Sequence, residues 1–274
     1  MHIDRPHRGK LQAVILDWAG TIVDHGSLAP VRVLQELFES HDVPITQGEA
    51  RLDMGLLKKD HIRAILSGPR VISAWTERHA KPPSEADVEK IFADFIPRQL
   101  DCLANYSELL PGVLSAVRAI RDRGLKIATT TGYTRPMLDL LLAKAADQGF
   151  VPDSALCPED VGGGRPYPWM CYENAVRLQL YPLESFVKIG DTLSDIEEGL
   201  NAGMWSVGVS RTGNLVGLSE ADFSALPREE QNARTQTAAT KLTAAGAHYV
   251  IESISDVLPV LDAIDNRLFD GERP

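Results

Sequence analysis

One short apolar run, Val14-Ile15-Leu16, ends on Asp17 and passes into the turn Trp18-Ala19-Gly20-Thr21, and no further strand signal follows until after Pro111-Gly112. That gap constrains the fold more than any other feature. A lone strand cannot satisfy its own backbone groups, so this one must pair with strands that arrive much later in the chain. Residues 125–131, 186–190, 205–209 and 248–251 supply apolar, β-rich runs of the right length. Between them, residues 113–123, 135–148, 167–180 and 193–202 carry helical patterns, with Gly124, Gly149 and Gly203 placed as stops. Strands alternating with helices imply an α/β fold with a Rossmann-like parallel sheet and helices on both faces.

The stretch that separates the first strand from the others reads as helix almost throughout. Val31, Val33, Leu34, Leu37 and Phe38 recur at helical spacing after Pro30, which suits a first turn. Thr46 with Glu49 forms a capping box, and a helix entered through Met54-Gly55-Leu56-Leu57-Lys58 must stop before Gly68-Pro69. Residues 71–79 give another helix, and Ser84 caps a long one that runs to about residue 105. The expected division is an α/β core of residues 1–25 and 107–274, with residues 26–106 inserted after the first strand as a helical cap over the sheet edge. Residues 213–240 read as a polar loop followed by a peripheral helix.

The formal net charge of −10 argues against a nucleic-acid surface or an anionic membrane as partner, yet permits a small anion at a locally positive site. Cys102, Cys157 and Cys171 lie far apart with no metal-ligand spacing and read as buried small hydrophobes in a reducing compartment. The polar leader, residues 1–10, has no signal-peptide core, and no apolar run approaches the ~20 residues of a membrane span. The expected location is the cytoplasm.

Three strand ends carry polar groups that could meet at one site. Asp17 is the candidate nucleophile, and Gly20-Thr21 lets backbone N–H groups approach a phosphoryl oxygen. Thr130-Thr131-Gly132 offers hydroxyls and amides to the same oxygens, although threonine also ends strands for its β-propensity alone. Asp191 and Asp195 lie four apart at another strand-to-helix transition, where Asp191 can equally cap the helix from Leu193. Carboxylates and turn carbonyls of this kind are the oxygen donors Mg²⁺ favours. Arg165, after Gly162-Gly163-Gly164, would offset negative charge beside a phosphoryl group.

These segments resemble the haloacid dehalogenase superfamily, whose phosphatases and mutases carry Asp-x-Asp-Gly-Thr. Here the second acid is Ala19, so an enzyme cutting P–O bonds would lack its general acid. A leaving group stabilised as carbon needs none. Lys58 offers that stabilisation through an imine, its amine made neutral by burial or by adjacent Lys59, with Met54 and His61 on the same face if the segment is helical. The combination of Asp17-Trp18-Ala19-Gly20-Thr21, Met54-Gly55-Leu56-Leu57-Lys58 with His61, Thr131-Gly132-Tyr133, Gly164-Arg165-Pro166 and Gly190-Asp191-Thr192 is similar to the phosphonatase (phosphonoacetaldehyde hydrolase) family of that superfamily.

The resemblance implies cleavage of a carbon–phosphorus bond in a small phosphonate. Asp17 would be the nucleophile and Lys58 the Schiff-base lysine, with His61 and Met54 on the imine side. Thr131, Gly132 and Arg165 would bind the phosphoryl group. Mg²⁺ would take the Asp17 carboxylate, the Ala19 carbonyl and Asp191, with Asp195 in support. A homodimer through the cap domains is implied as well. Ser27, where some relatives are expected to carry cysteine, is one departure, and the long leader is another. A phosphomonoesterase or phosphoglucomutase, or a non-catalytic phosphate binder, are the alternatives.

Overall fold

The structure, a computed structural model that describes residues 9–274, places β1 (Ala13–Leu16) inside a six-stranded, all-parallel sheet. β2 (Lys126–Thr130) and β3 (Ser154–Leu156) lie on one side of it. β4 (Phe186–Gly190), β5 (Trp205–Val209) and β6 (Tyr249–Ile251) lie on the other, giving the order β3-β2-β1-β4-β5-β6. Val14 faces Ile127 in β2 and Val187 in β4, so the early strand finds both partners after the long gap. All four residues of β1 are buried, as an interior strand covered on both faces requires.

Five α-helices make up the insertion that follows β1: α1 (Leu28–Ser40), α2 (Gln47–Arg51), α3 (Lys58–Leu66), α4 (Pro69–His79) and α5 (Glu85–Leu103). α1 packs against α2 and α5, and α3 against α4 and α5, around Leu34, Phe38, Ile62, Ile91 and Phe95. The core helices are α6 (Val113–Asp122), α7 (Arg135–Asp147), α8 (Trp169–Leu178), α9 (Leu193–Asn201), α10 (Glu220–Ala225), α11 (Arg228–Ala244) and α12 (Val257–Phe269). Alternation along β1 divides them: Val14 and Leu16 join the core that includes α6, α7 and α12, while Ala13 and Ile15 pack with Cys171 and Ala175 of α8.

Four sequence expectations need correction. β3, a three-residue edge strand, carries no legible periodicity and forms because β2 offers it a partner. β2 ends at Thr130, which leaves Thr131 in the loop beyond it. α3 begins at Lys58, so Met54 belongs to the turn before the helix rather than to its face. α12 closes the described chain where no element was expected. The polar leader lies outside the described residues, except for its last two. Among the described residues no helix is long and apolar enough to cross a membrane. The sheet reverses its strand order between β1 and β4, and the crevice beyond their carboxyl ends is where such sheets bind ligands.

Candidate active site

The turn that leaves β1 is wound tightly about one carbonyl. The Trp18 C=O accepts the N–H groups of Thr21, Ile22 and Val23 at 3.2, 2.8 and 3.0 Å, and the Gly20 N–H donates to Val23 at 2.7 Å. Gly20 has φ +80°, and a Cβ there would stand 2.3 Å from Asp191 Oδ2. Only glycine lets this turn lie against the carboxylate that follows β4. The Ala19 carbonyl accepts none of the turn's hydrogen bonds among the described residues, and Ala19 lines the cavity beside Asp17.

Beneath that cavity three buried carboxylates meet two buried cations, and a fourth carboxylate, Asp191, lies beside them. Arg165 Nη2 donates to Asp17 Oδ1 at 2.7 Å and to the carbonyl and hydroxyl of Thr130 at 2.9 Å each. Its Nε reaches Glu198 at 2.9 Å and its Nη1 reaches Asp195 at 3.0 Å. Lys188, from the middle of β4, lies 2.6 Å from Asp195 and 3.3 Å from Glu198. Thr192, not Asp191, caps α9, and its hydroxyl and N–H both engage Asp195 Oδ2. Asp195 is therefore saturated, with both oxygens committed to side chains already present.

Asp17, Asp191, Asp195 and Glu198 against Arg165 and Lys188 leave two negative charges in excess when all are ionised. The strain falls on Asp17 and Asp191. Burial and the Asp195 charge raise Asp17 to about 6, against the pull of Arg165 and Lys188. Burial, then Asp17 and Asp195, raises Asp191 well above the carboxylate range. Asp191 Oδ2 accepts the Asn214 N–H at 2.6 Å and the Ser27 hydroxyl at 3.0 Å, whereas buried Oδ1 has no partner among the described residues. One oxygen from each of Asp17, Asp191 and Asp195 lies within 4.8 Å of the others. An orphaned carboxylate oxygen, hard donors and a double negative excess fit a divalent cation such as Mg²⁺.

The other wall of the cavity comes from the helical insertion. Lys58 is buried at the first position of α3, and its Nζ touches the Met54 Sδ at 3.6 Å and stands 5.4 Å from the centre of the Tyr133 ring. No carboxylate is within ion-pair distance of it among the described residues. Burial lowers its pKa to about 8, with Asp17 the largest opposing influence. Lys59 has no part in this, since it turns outward to Glu89. His61 does not line the cavity: its ring is fully buried inside the insertion, and burial followed by the Lys58 charge lowers its pKa to about 3, against the raising influence of the Leu52 and Ala50 backbone.

Asp17, Ala19, Met54, Lys58, Thr131, Gly132, Arg165 and Asp191 thus line one cavity of about 20 Å³, room for a single water. Thr131 Oγ1 accepts the Tyr133 N–H at 3.2 Å, which leaves its own proton free to donate. Gly132 presses on the insertion so closely that a Cβ would stand 2.4 Å from the Leu56 carbonyl oxygen. Sequence reasoning missed Lys188 and Glu198, which hold Arg165 and Asp195 in place, and it expected the Thr130 hydroxyl to face a phosphoryl group, whereas that hydroxyl binds Arg165 and Glu198. A lone lysine inside the buried strand Phe186-Val187-Lys188-Ile189 is a signal in itself, because a buried ammonium needs carboxylates.

A match to the haloacid dehalogenase-like hydrolase family covers residues 11–203. The chain is 45% identical over 271 residues to the phosphonoacetaldehyde hydrolase of Syntrophobacter fumaroxidans, covering 99% of this chain and 98% of that one. It is 46% identical to the phosphonoacetaldehyde hydrolase of Nitratidesulfovibrio vulgaris, over 98% of this chain and 96% of the other. The crystal structure of a phosphonoacetaldehyde hydrolase-like protein from Oleispira antarctica superposes with a TM-score of 0.98 at 40% identity, covering 100% of this chain and 99% of that one.

Proposed function

The chain belongs to the haloacid dehalogenase-like hydrolases, in their phosphonoacetaldehyde hydrolase branch, and from that premise we propose that it hydrolyses phosphonoacetaldehyde to acetaldehyde and phosphate through an imine on Lys58 and an aspartyl phosphate on Asp17. One observation carries the mechanism: a buried lysine without an ion pair among the described residues shares a cavity with a strand-end aspartate followed, two residues on, by alanine in place of the second acid.

With a pKa of about 8, an appreciable share of Lys58 is a free amine near neutrality. The amine adds to the aldehyde carbon, and loss of water gives the iminium. Asp17, oriented by Arg165, attacks phosphorus. The C–P bond breaks with its electron pair moving into the iminium, which gives an enamine on Lys58 and a phosphoryl group on Asp17. Protonation of the enamine carbon and addition of water release acetaldehyde and return the amine. A second water cleaves the acyl phosphate and frees Asp17. Because the departing electrons end on nitrogen, no acid is needed at position 19.

Thr131 and the Gly132 amide are suited to donate to the phosphoryl oxygens, and Arg165 to neutralise them while keeping Asp17 in line. Asp17, Asp191 and the Ala19 carbonyl would hold Mg²⁺, which when bound supplies positive charge against the excess of carboxylates and the phosphoryl group. Asp195 supports them by fixing Arg165 and Lys188. Met54 packs against the Lys58 amine, and His61, neutral at every physiological pH, adjoins it from the insertion's interior. The cavity is too small for the substrate, so residues 26–106 must act as a cap that opens to admit it. The homodimer through the cap helices belongs to this reading, and sedimentation of the purified protein tests it.

The function is tested by product assays on phosphonoacetaldehyde, p-nitrophenyl phosphate and hexose phosphates with and without Mg²⁺. Acetaldehyde and phosphate should form in equal amounts from the first, with little turnover of the esters. Borohydride with substrate should inactivate the protein and add mass to the peptide that contains Lys58. Faster ester hydrolysis, or label on a peptide without Lys58, would sink the proposal.

A further inference from the structure

Arg51 sits at the end of α2 in the helical insertion, yet its guanidinium joins the first residue of that insertion to a loop of the core. Nη1 donates to the Gly26 carbonyl at 2.8 Å and to the Asn214 side-chain oxygen at 2.9 Å, and Nη2 donates to the Gly217 carbonyl at 2.9 Å. Asn214 Nδ2 returns a hydrogen bond to the Arg51 carbonyl at 3.4 Å. This clasp spans a cleft of about 530 Å³ between the two halves, a cleft that shares Met54 and Thr192 with the smaller cavity.

The gripped residues adjoin the only two groups that hold the Asp191 carboxylate among the described residues. Asn214 itself donates its backbone N–H to Asp191 Oδ2, and Ser27, which follows Gly26, donates its hydroxyl to the same oxygen. The two loops are also tied to each other, because the Gly26 N–H donates to the Thr212 carbonyl and the Thr212 hydroxyl to the Gly20 carbonyl, both at 2.7 Å. Two glycines let the loop serve both sides. A Cβ at Gly213 would stand 2.5 Å from the Asp191 Cβ, and one at Gly217 would stand 2.7 Å from the Arg51 guanidinium carbon.

We propose that Arg51 is a positioning residue: by gripping Gly26 and Asn214 as the insertion closes, it sets both donors that hold Asp191, so that closure and completion of the cation site are one event. The inference rests on Asp191 being a cation ligand. It also gives the loop at residues 212–217 a role, that of carrying the position of α2 to the floor of the site.

Calorimetric titration of Mg²⁺ into substrate-free wild type, Arg51→Met, Arg51→Lys and Asn214→Ala tests it, paired with amide hydrogen exchange of residues 212–217 in Mg²⁺-free protein. Arg51→Met should bind Mg²⁺ on the order of tenfold more weakly, the usual effect of losing a group that orients a ligand. Its Asn214 amide should exchange faster. Arg51→Lys, which keeps a cation in reach of one carbonyl, should recover part of both. Asn214→Ala keeps the backbone donor and should lose less in the same direction, which preserves the test if Arg51→Met fails to fold. Wild-type affinity and exchange in the folded Arg51 and Asn214 variants would overturn the inference and leave the Mg²⁺ reading intact, even if their melting temperatures fall. Absence of Mg²⁺ binding by wild type would overturn both.

Discussion

Lys188 and Lys58 are both buried, and the protein treats them in opposite ways. Burial and the neighbouring Arg165 push Lys188 down, but Asp195 and Glu198 outweigh them and its pKa ends above the usual lysine value. Lys58 meets the same burial with a thioether and an aromatic ring for company, and its pKa falls to about 8. The difference is one of partners, not of depth. On the phosphoryl side every cation is cross-linked to carboxylates, which makes a rigid, permanently charged floor. On the aldehyde side no carboxylate reaches the amine among the described residues, and its neighbours are the Met54 thioether and the ring of Tyr133, whose buried hydroxyl has no partner there. A nucleophilic amine can exist only there.

Exchanging each of these side chains for methionine should break the comparison most visibly. Lys58→Met removes the imine and should lower turnover of phosphonoacetaldehyde by at least about 10⁴-fold. Its stability should hold or rise slightly, since an unpaired buried cation is replaced by an apolar chain of similar shape. Lys188→Met leaves Asp195 and Glu198 short of a cation and should cost about 3–5 kcal/mol in urea denaturation. If the Lys58 variant proved the less stable of the two, the amine must have partners that the structure does not give it.

The same contrast separates what could be read in the chain from what could not. Asp17, Asp191 and Thr131 were legible because a strand end facing a turn is a local pattern, and Lys58 because alanine at position 19 left a chemical deficit to fill. The alternation after residue 111 carried the parallel sheet. β3 was not legible, since three residues acquire strand geometry only by pairing with β2. Asn214 holds Asp191 through its backbone N–H, a group every residue but proline possesses, so no side-chain pattern marks it. Arg51 ends a capped helix like many surface arginines, and two of the partners of its guanidinium, Asn214 and Gly217, lie 163 and 166 residues away in the core loop. Met54 reached Lys58 as expected, but through a turn rather than a helical face.

The low pKa of Lys58 can be read directly as a rate. Trapping with cyanoborohydride and substrate in Asp17→Asn, which cannot pass the phosphoryl group on, should still label Lys58. Only the neutral amine adds to the aldehyde, so the rate should rise about tenfold per pH unit on the acid side and level off above the midpoint. The Asp17 charge favours the ammonium form, and its removal lowers the pKa further. The midpoint in this variant should therefore fall below 8. A midpoint near the ordinary lysine value would mean that Lys58 has a carboxylate partner and resembles Lys188 after all.

The smallest test deletes one hydroxyl from each side. Tyr133→Phe removes a buried oxygen without a hydrogen bond and keeps the ring beneath the Lys58 amine, so the desolvation cost of that oxygen disappears. Stability should rise by about 1 kcal/mol, or roughly 2–4 °C in melting temperature. Thr130→Val removes an equally buried hydroxyl that accepts from Arg165 at 2.9 Å and donates to Glu198 at 3.0 Å. Its loss leaves a charged donor and a charged acceptor short of a partner and should cost about 1–3 kcal/mol. One chemical deletion is thus expected to carry opposite signs on the two sides of a single cavity. Destabilisation by both would mean that the Tyr133 oxygen is held as firmly as that of Thr130. The aldehyde side would then owe its unpaired amine to geometry around Lys58 alone.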